Sequence, residues 1–455
     1  PLSMTFSPWQ LFVDLGLAAV LLLVGQLLRS RVRAIQWMFL PASVIGGFIG
    51  LGLGPNGADV LMMSAASSAY PGILIALIFA ALPFASEHVG FRALSARLTD
   101  LWAFSSTAIL IQWSVGILFT ALVLKTVWEG LSPGFGALIA AGFVGGHGTA
   151  AAMGETFGDL GWPEAGSLAM TAATVGILSS IVGGMIWVKW GSRCGHAEFV
   201  TRFDDLPEAL RTGLVKEDSR ESVGDETVSS SSVDTLALHF CLISAAALAG
   251  YFLSRGSGWL FPQYKLPVFC LAYVAAVVAH RVFRATRIIG YIDRRTMTHI
   301  GGALTDVLVV FGIASIKPAI LVEYAAPLAS LFALGIASCC FLFRCLGPRF
   351  FRAYWFERSL FTWGWITGVT AMGIALLRIV DPRNDSAALD DFGVAYLFIA
   401  PIEIGLVALA PQMLMSGHSW ALAGATLVCA MLLIVARGRR LLPPHHSCAP
   451  AQVPD

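Results

Sequence analysis

Between Trp9 and Leu28 the chain runs for 20 residues with a single charge, Asp14. A helix needs about 20 mostly apolar residues to cross the hydrocarbon of a bilayer. Inside that hydrocarbon only helices and closed barrels satisfy every backbone N–H and C=O. Helix-length apolar runs recur to the end of the chain. Of 455 residues, 57% are hydrophobic and 13% charged, about half the charged share of a soluble domain. The expected fold class is therefore an all-α polytopic membrane protein, with membrane lipid as a standing partner. A net charge of +1 gives no footing for nucleic acid. The eight cysteines show no metal-ligand spacing, and most sit in apolar runs as small hydrophobes. The first run is too long, and lacks the basic flank, for a cleavable signal. Met4 is a candidate start, which leaves Pro1-Leu2-Ser3 outside the natural chain.

About 11 transmembrane helices are expected. Five cover residues 9–28, 37–53, 70–85, 101–124 and 165–190. A hydrophilic linker, 191–234, follows, with Asp204-Asp205, Lys216-Glu217-Asp218 and the serines 229–232. It has the composition of a mobile segment. The remaining spans fall at 235–253, 266–279, 303–320, 324–343, 392–413 and 420–435. The chain divides into a first half-repeat (1–190), the linker, a second half (235–413), and an additional helix with tail (414–455).

Two apolar segments are broken. Residues Gly142 to Gly154 hold five glycines in thirteen positions, and each glycine costs roughly 1 kcal/mol in a helix interior. The apolar run before them, Gly136 to Val144, is nine residues long. Such a segment suits two half-helices meeting at a tip, a re-entrant hairpin over about 133–160. The competing reading is a small-residue packing face on an ordinary span. A second break, Trp363 to Gly373, lies within a hairpin expected at about 358–382. The halves echo each other in spacing. Leu40-Pro41 precedes Gly148 by 107 residues counted from the proline, and Leu266-Pro267 precedes Gly368 by 101. The paired Gly46-Gly47 after Pro41 marks a bend or a close helix contact.

Basic residues test this topology. With each hairpin entering and leaving on one face and the N-terminus outside, 25 of the 29 Lys and Arg fall on the cytoplasmic side. These include Arg29, Arg31, Arg33, Arg92, Arg97, Arg281, Arg284, Arg287 and Arg358. Only Lys125, Arg255, Lys265 and Lys317 fall outside. Cytoplasmic loops carry such an excess. An odd number of spans before the linker gives the halves opposite orientation, the architecture of inverted-repeat secondary transporters. The linker and C-terminus are then cytoplasmic.

In such folds half-helix N-termini attract anionic groups, and helix C-termini and unwound carbonyls hold the coupling cation. The tips supply both at Gly145, Gly146, His147, Gly148 and Thr149, and at Thr367, Gly368 and Thr370. His147 either bonds substrate or satisfies local backbone. Thr171 and Thr174, mid-span in the first half, correspond to Glu403 in the second. Glu403 is a candidate for coupling ion or proton, or a buried structural partner. Arg378 either counters an anionic substrate or pairs locally with Asp381. Asp306 and Asp14 read as interfacial, and Trp355, Trp363, Trp365 and Tyr354 as interfacial anchors. No nucleotide motif or nucleophile constellation is present, so an enzyme is not expected. A passive channel is the alternative from another class.

At Gly145-Gly146-His147-Gly148-Thr149, Gly154 and Ala169-Met170-Thr171-Ala172-Ala173-Thr174-Val175-Gly176 the chain resembles the bacterial sodium/glutamate symporters. Leu40-Pro41 with Gly46-Gly47, and Leu266-Pro267-Val268-Phe269, fall where that family has similar motifs. The resemblance implies two inverted five-span halves, each with a re-entrant loop. It implies sodium-coupled uptake of glutamate or a related small carboxylate across the bacterial inner membrane, with no cofactor beyond the sodium ion. It also implies a homodimer whose transport domain moves against a fixed scaffold. A proton-coupled carboxylate transporter is the nearest alternative. The chain departs from the family at Trp363-Gly364-Trp365-Ile366-Thr367-Gly368, which replaces a Gly-His and Gly-x-Gly pattern, and in the last span. A single cysteine placed in the loop around Asn56 should react with a membrane-impermeant thiol reagent from outside intact cells; reaction from the cytoplasm alone would overturn the topology.

Overall fold

The computed structural model describes residues 7–85, 96–196, 208–260, 266–381 and 385–438, and among them there are helices and loops but no strand. Pro1-Leu2-Ser3, Met4, Arg92, Asp204-Asp205, Lys265, Pro382 and Cys448 lie outside the described residues. Ten described helices are long and apolar enough to cross a membrane, so the chain is an all-α multi-pass membrane protein.

The expected span at 37–53 is not continuous. A short helix, Arg33–Trp37, ends in a turn with Phe39 at φ 49°, and α2 (Ala42–Leu53) begins only after it. Pro41 is the reason. It has no N–H to continue a helix, and it pushes the residue before it out of the helical region. At twelve residues α2 is too short to cross alone. It lies against α1 (Pro8–Arg31) at small-residue contacts: a Cβ on Gly25 would sit 2.2 Å from the Ala42 carbonyl oxygen, and one on Gly46 2.7 Å from that of Leu21.

The other main helices are α3 (Tyr70–Ala85), α4 (Ala96–Phe119), α5 (Gly146–Asp159), α6 (Ala165–Arg193), α7 (Thr235–Leu260), α8 (Val268–Ala285), α9 (Arg294–Ala314), α10 (Ala325–Phe341), α11 (Trp355–Thr367), α12 (Thr370–Val380), α13 (Ala388–Met415) and α14 (Ser419–Gly438). They sort into two packing groups. In one, α1 packs on α2 as α7 packs on α8, α2 on α9 as α8 on α3, and α1 on α9 as α7 on α3, while α3 and α9 face each other. Each half thus makes the contacts of the other with partners exchanged. The second group gathers α4, α5, α6 and α10 to α14. The groups touch chiefly where α5 and α6 meet α3 and α9.

Several charges stand elsewhere than the sequence suggests. Asp14, near the start of α1, is fully buried and accepts hydrogen bonds from the Ser64 amide (2.8 Å) and the Tyr70 hydroxyl (2.8 Å), which tie the start of α3 to α1. Asp306 does not open a span: α9 begins twelve residues earlier at Arg294, and the carboxylate bonds to Ser43 of α2. Arg358 is not a loop charge. It is 1% exposed, donates to Asp391 of α13 at 2.6 Å and to the Ser386 carbonyl at 2.9 Å, and faces the Phe351 ring. Trp363 and Trp365 are buried rather than interfacial. The Trp363 indole donates to the Ser180 carbonyl at 3.1 Å, and Trp365 packs on Phe392 and Tyr396. In the linker, the Gln26 amide of α1 donates to Thr212, and Gly224 lies against Thr296.

Removing one partner of a buried ion pair leaves a charge stranded, while replacing both is often neutral. Arg358→Met should therefore lower stability by about 3–5 kcal/mol, and adding Asp391→Leu should restore most of it. Thermal unfolding midpoints in detergent give the ranking.

Candidate functional site

Both broken segments fold back on themselves. The first enters through a short helical turn at Phe135–Ala137 and a π-helical turn at Ala140–Val144. It breaks at Gly145-Gly146 and returns as α5. The ring of Phe135 lies 6.4 Å from that of Trp162, so the segment ends beside its own start. Gly146 has φ 61°, a conformation that glycine adopts without strain. The break is therefore tighter than a five-residue tip: His147, Gly148 and Thr149 form the first turn of α5. The amides of Gly146, His147 and Gly148 have no preceding helical carbonyl to bond. The second hairpin is α11 and α12, broken at Gly368-Val369, where both residues are extended or irregular. Its arms cross at Gly364 and Gly373, with a Cβ on Gly364 only 2.6 Å from the Gly373 Cα.

The two breaks meet. A Cβ on Gly146 would lie 2.8 Å from a Val369 methyl and 3.2 Å from the Gly368 carbonyl oxygen. Helix α6 runs alongside, and a Cβ on Gly176 would reach the Thr367 carbonyl oxygen at 2.4 Å. The carbonyls at the end of α11 are held from two sides. The Ser180 hydroxyl donates to Gly364 (3.1 Å), and the Gln112 amide of α4 donates to Ile366 (2.8 Å). Neither Gln112 nor Ser180 was singled out from the sequence. Gln112 carried a signal, as the one side-chain amide inside the apolar run 101–124.

His147 is 2% exposed, with Nε2 at 3.2 Å from the Thr174 hydroxyl oxygen. The Thr174 hydroxyl donates its own proton to the Met170 carbonyl at 2.9 Å. It therefore accepts from His147, which puts the imidazole proton on Nε2 and leaves Nδ1 an acceptor. Nδ1 is buried with no hydrogen-bond partner among the described residues. Thr171 and Thr367 likewise spend their protons on carbonyls one turn back, Ser167 (2.7 Å) and Trp363 (2.6 Å). Three threonine oxygens thus keep lone pairs for a donor or a cation. Among the described residues no three His, Cys, Asp or Glu side chains cluster as a metal site. A cation here would depend on hydroxyl and carbonyl oxygens.

The structure brings together Gly145 to Thr149, Thr174 and Thr367 to Thr370. Arg378 stands apart from them. Arg378 lies eight residues beyond Thr370 on α12, about 12 Å along the axis. Glu403 is half-buried on α13, its carboxylate 3.5 Å from the Tyr396 hydroxyl. The Tyr396 ring in turn packs edge-on against Trp365 of α11, and α13 also lies against α5. The tips sit on the boundary between the packing groups: Gly148 faces Ile75 of α3, and Met170 faces Gly312 of α9.

Broken helices meeting inside a multi-pass bundle define a membrane transporter fold. The family profile described as sodium/glutamate symporter matches residues 10–353, and the chain belongs to that family. The match includes the first hairpin and α6 and ends two residues before α11, where the second hairpin begins. No curated protein matches the chain.

Thr174→Val keeps the side-chain shape and removes the acceptor for His147. Leaving a buried donor without a partner costs about 1–3 kcal/mol. The expected result is a lower unfolding midpoint for Thr174→Val, and little further loss when His147→Leu is added.

Proposed function

We propose that this protein is a sodium-coupled symporter that imports glutamate or a related small carboxylate by an elevator-like movement. The convergence of the two hairpin breaks beside α6 carries this reading. The α5 N-terminus offers amides and a partial positive charge to a carboxylate. The buried Nδ1 of His147 offers an acceptor to a substrate ammonium. The Thr367 and Gly368 carbonyls, with the Thr171 and Thr174 oxygens, offer a sodium ion neutral oxygen donors.

The packing groups give the movement its parts. The helices α1 to α3 and α7 to α9 form a frame, and the group holding both hairpins is the carriage. The exchanged contacts of the two halves support the division at 1–190, 191–234, 235–413 and 414–455, with the halves inverted. In this reading the N-terminus is outside, the linker and tail are cytoplasmic, and the frame pairs with that of a second copy in the bacterial inner membrane. Arg378, at the base of the second hairpin, is left the role of a fixed countercharge rather than a substrate ligand. Glu403 favours one variant, in which a proton replaces sodium as the coupling ion.

Proteoliposomes decide between these outcomes. An inward sodium gradient should drive accumulation of labelled glutamate, abolished when the gradient is collapsed. Uptake that follows a pH gradient and is lost in Glu403→Gln would identify the proton variant. Flux independent of any gradient would identify a channel and end the symporter reading. In detergent, sodium with glutamate at a hundredfold excess over its Kd should stabilise the protein by about 2.7 kcal/mol.

A further inference from the structure

An apolar groove of about 370 Å³ opens on the outside of the hairpin-bearing group, between α6 and α10. One wall is a stripe on α6: Val175, Leu178, Val182 and Ile186. The other is Ile336 and Cys340 of α10. The floor is Gly183 with Trp363, the second-hairpin residue whose indole bonds to Ser180. Gly183 makes room for that ring, since a Cβ there would lie 2.3 Å from it. Val182 and Ile186 are 57% and 61% exposed, so the groove is open along its length.

Both walls end in cations. Residues three and four apart share a helix face, so the stripe through Val182 and Ile186 continues to Lys189 and Arg193 in the last turns of α6. On the other side the stripe through Ile336 and Cys340 continues to Arg344, in the π-helical turn Leu342–Leu346 that extends α10. Arg344 lies 5.0 Å from the centre of the Trp190 ring, which joins the two walls at that end. Trp187 stacks on Phe343 at 4.3 Å beside it. Lys189, Arg193 and Arg344 are all exposed. An apolar trough that ends in paired tryptophans and three cations has the polarity of a phospholipid: chain in the trough, headgroup at the aromatic belt. Basic sites between membrane helices select anionic headgroups.

We propose that this groove is a binding site for one anionic phospholipid, its acyl chain lying on Trp363 and its phosphate held by Lys189, Arg193 and Arg344. The lipid then touches the second hairpin directly, through the ring that ties that hairpin to α6. Occupancy of the groove supports the α11 side of the hairpin from the membrane. The site is independent of which carboxylate or coupling ion the tips take.

Native mass spectrometry of the full chain, released from detergent after incubation with phosphatidylglycerol or phosphatidylcholine, tests it without any transport assay. The expected result is one retained phosphatidylglycerol and weaker retention of phosphatidylcholine. Each cation removed should weaken retention roughly fivefold, so Lys189→Gln with Arg344→Gln should lose phosphatidylglycerol selectivity. Arg255→Gln, on the exposed end of α7, should not. Val182→Trp, which fills the groove from an exposed position, should displace both lipids at an unchanged unfolding midpoint. Equal retention of the two lipids by the wild-type chain would overturn the proposal, as would undiminished phosphatidylglycerol retention in the double variant.

Discussion

Backbone polar groups that leave a helix inside a membrane protein must find partners within the protein. That requirement organises this molecule around Gly145-Gly146 and Gly368-Val369. The breaks are placed against each other and against α6; near the end of α11 the Ile366 carbonyl accepts from Gln112, and the Gly364 carbonyl accepts from Ser180 as well as from the Gly368 amide. The close approach needs glycine at Gly146 and Gly176, where a side chain would strike the Gly368-Val369 turn or the Thr367 carbonyl. Few partners remain for the amides at the start of α5. A site that is almost satisfied, with one helix end and one imidazole nitrogen left over, is suited to holding and releasing a small polar ligand.

The rest of the fold keeps that junction in place. Arg358 and Asp391 clamp the base of the second hairpin to α13, and Trp363 pins its middle to α6. Toward α3 and α9 the contacts include Gly148 on Ile75, Met170 on Gly312 and the Glu155 carboxylate on Gly72. Directional interactions lie within each group, Arg358 with Asp391 in one and Asp14 with Tyr70 in the other. The groove over Trp363 extends the same logic to the bilayer, since lipid there presses on the element that closes the junction.

Much of this was legible in the chain. The apolar runs, the polar linker and the two glycine-broken segments all emerge from composition and periodicity. Most of their ranges hold to within several residues, with α2, which Pro41 explains, and α9, which begins nine residues before the expected start, as the widest departures. The family could be read at Gly145 to Thr149 and in the span that follows. The charges were misread, and for one reason. A count of Lys and Arg treats each as facing water, so Arg358 entered as a loop residue. Asp14 and Asp306 were assigned to interfaces because each was placed near the end of a run. Which partner a charge finds depends on what another helix brings to the same place, and Asp391, Tyr70 and Ser43 are 33, 56 and 263 positions away in the sequence.

The sequence by itself determined the class of molecule, the number of breaks and the residue types at each break. Those follow from local chemistry: hydrocarbon demands apolar helices, and glycine and proline interrupt them. Only the tertiary structure decided that the two breaks touch, that His147 spends one nitrogen on Thr174 and keeps the other, and that Arg358 pairs with Asp391. Such pairings are set by how long helices cross. A shift of one helix by a single turn, about 5.4 Å, exchanges every neighbour, and no local pattern records it.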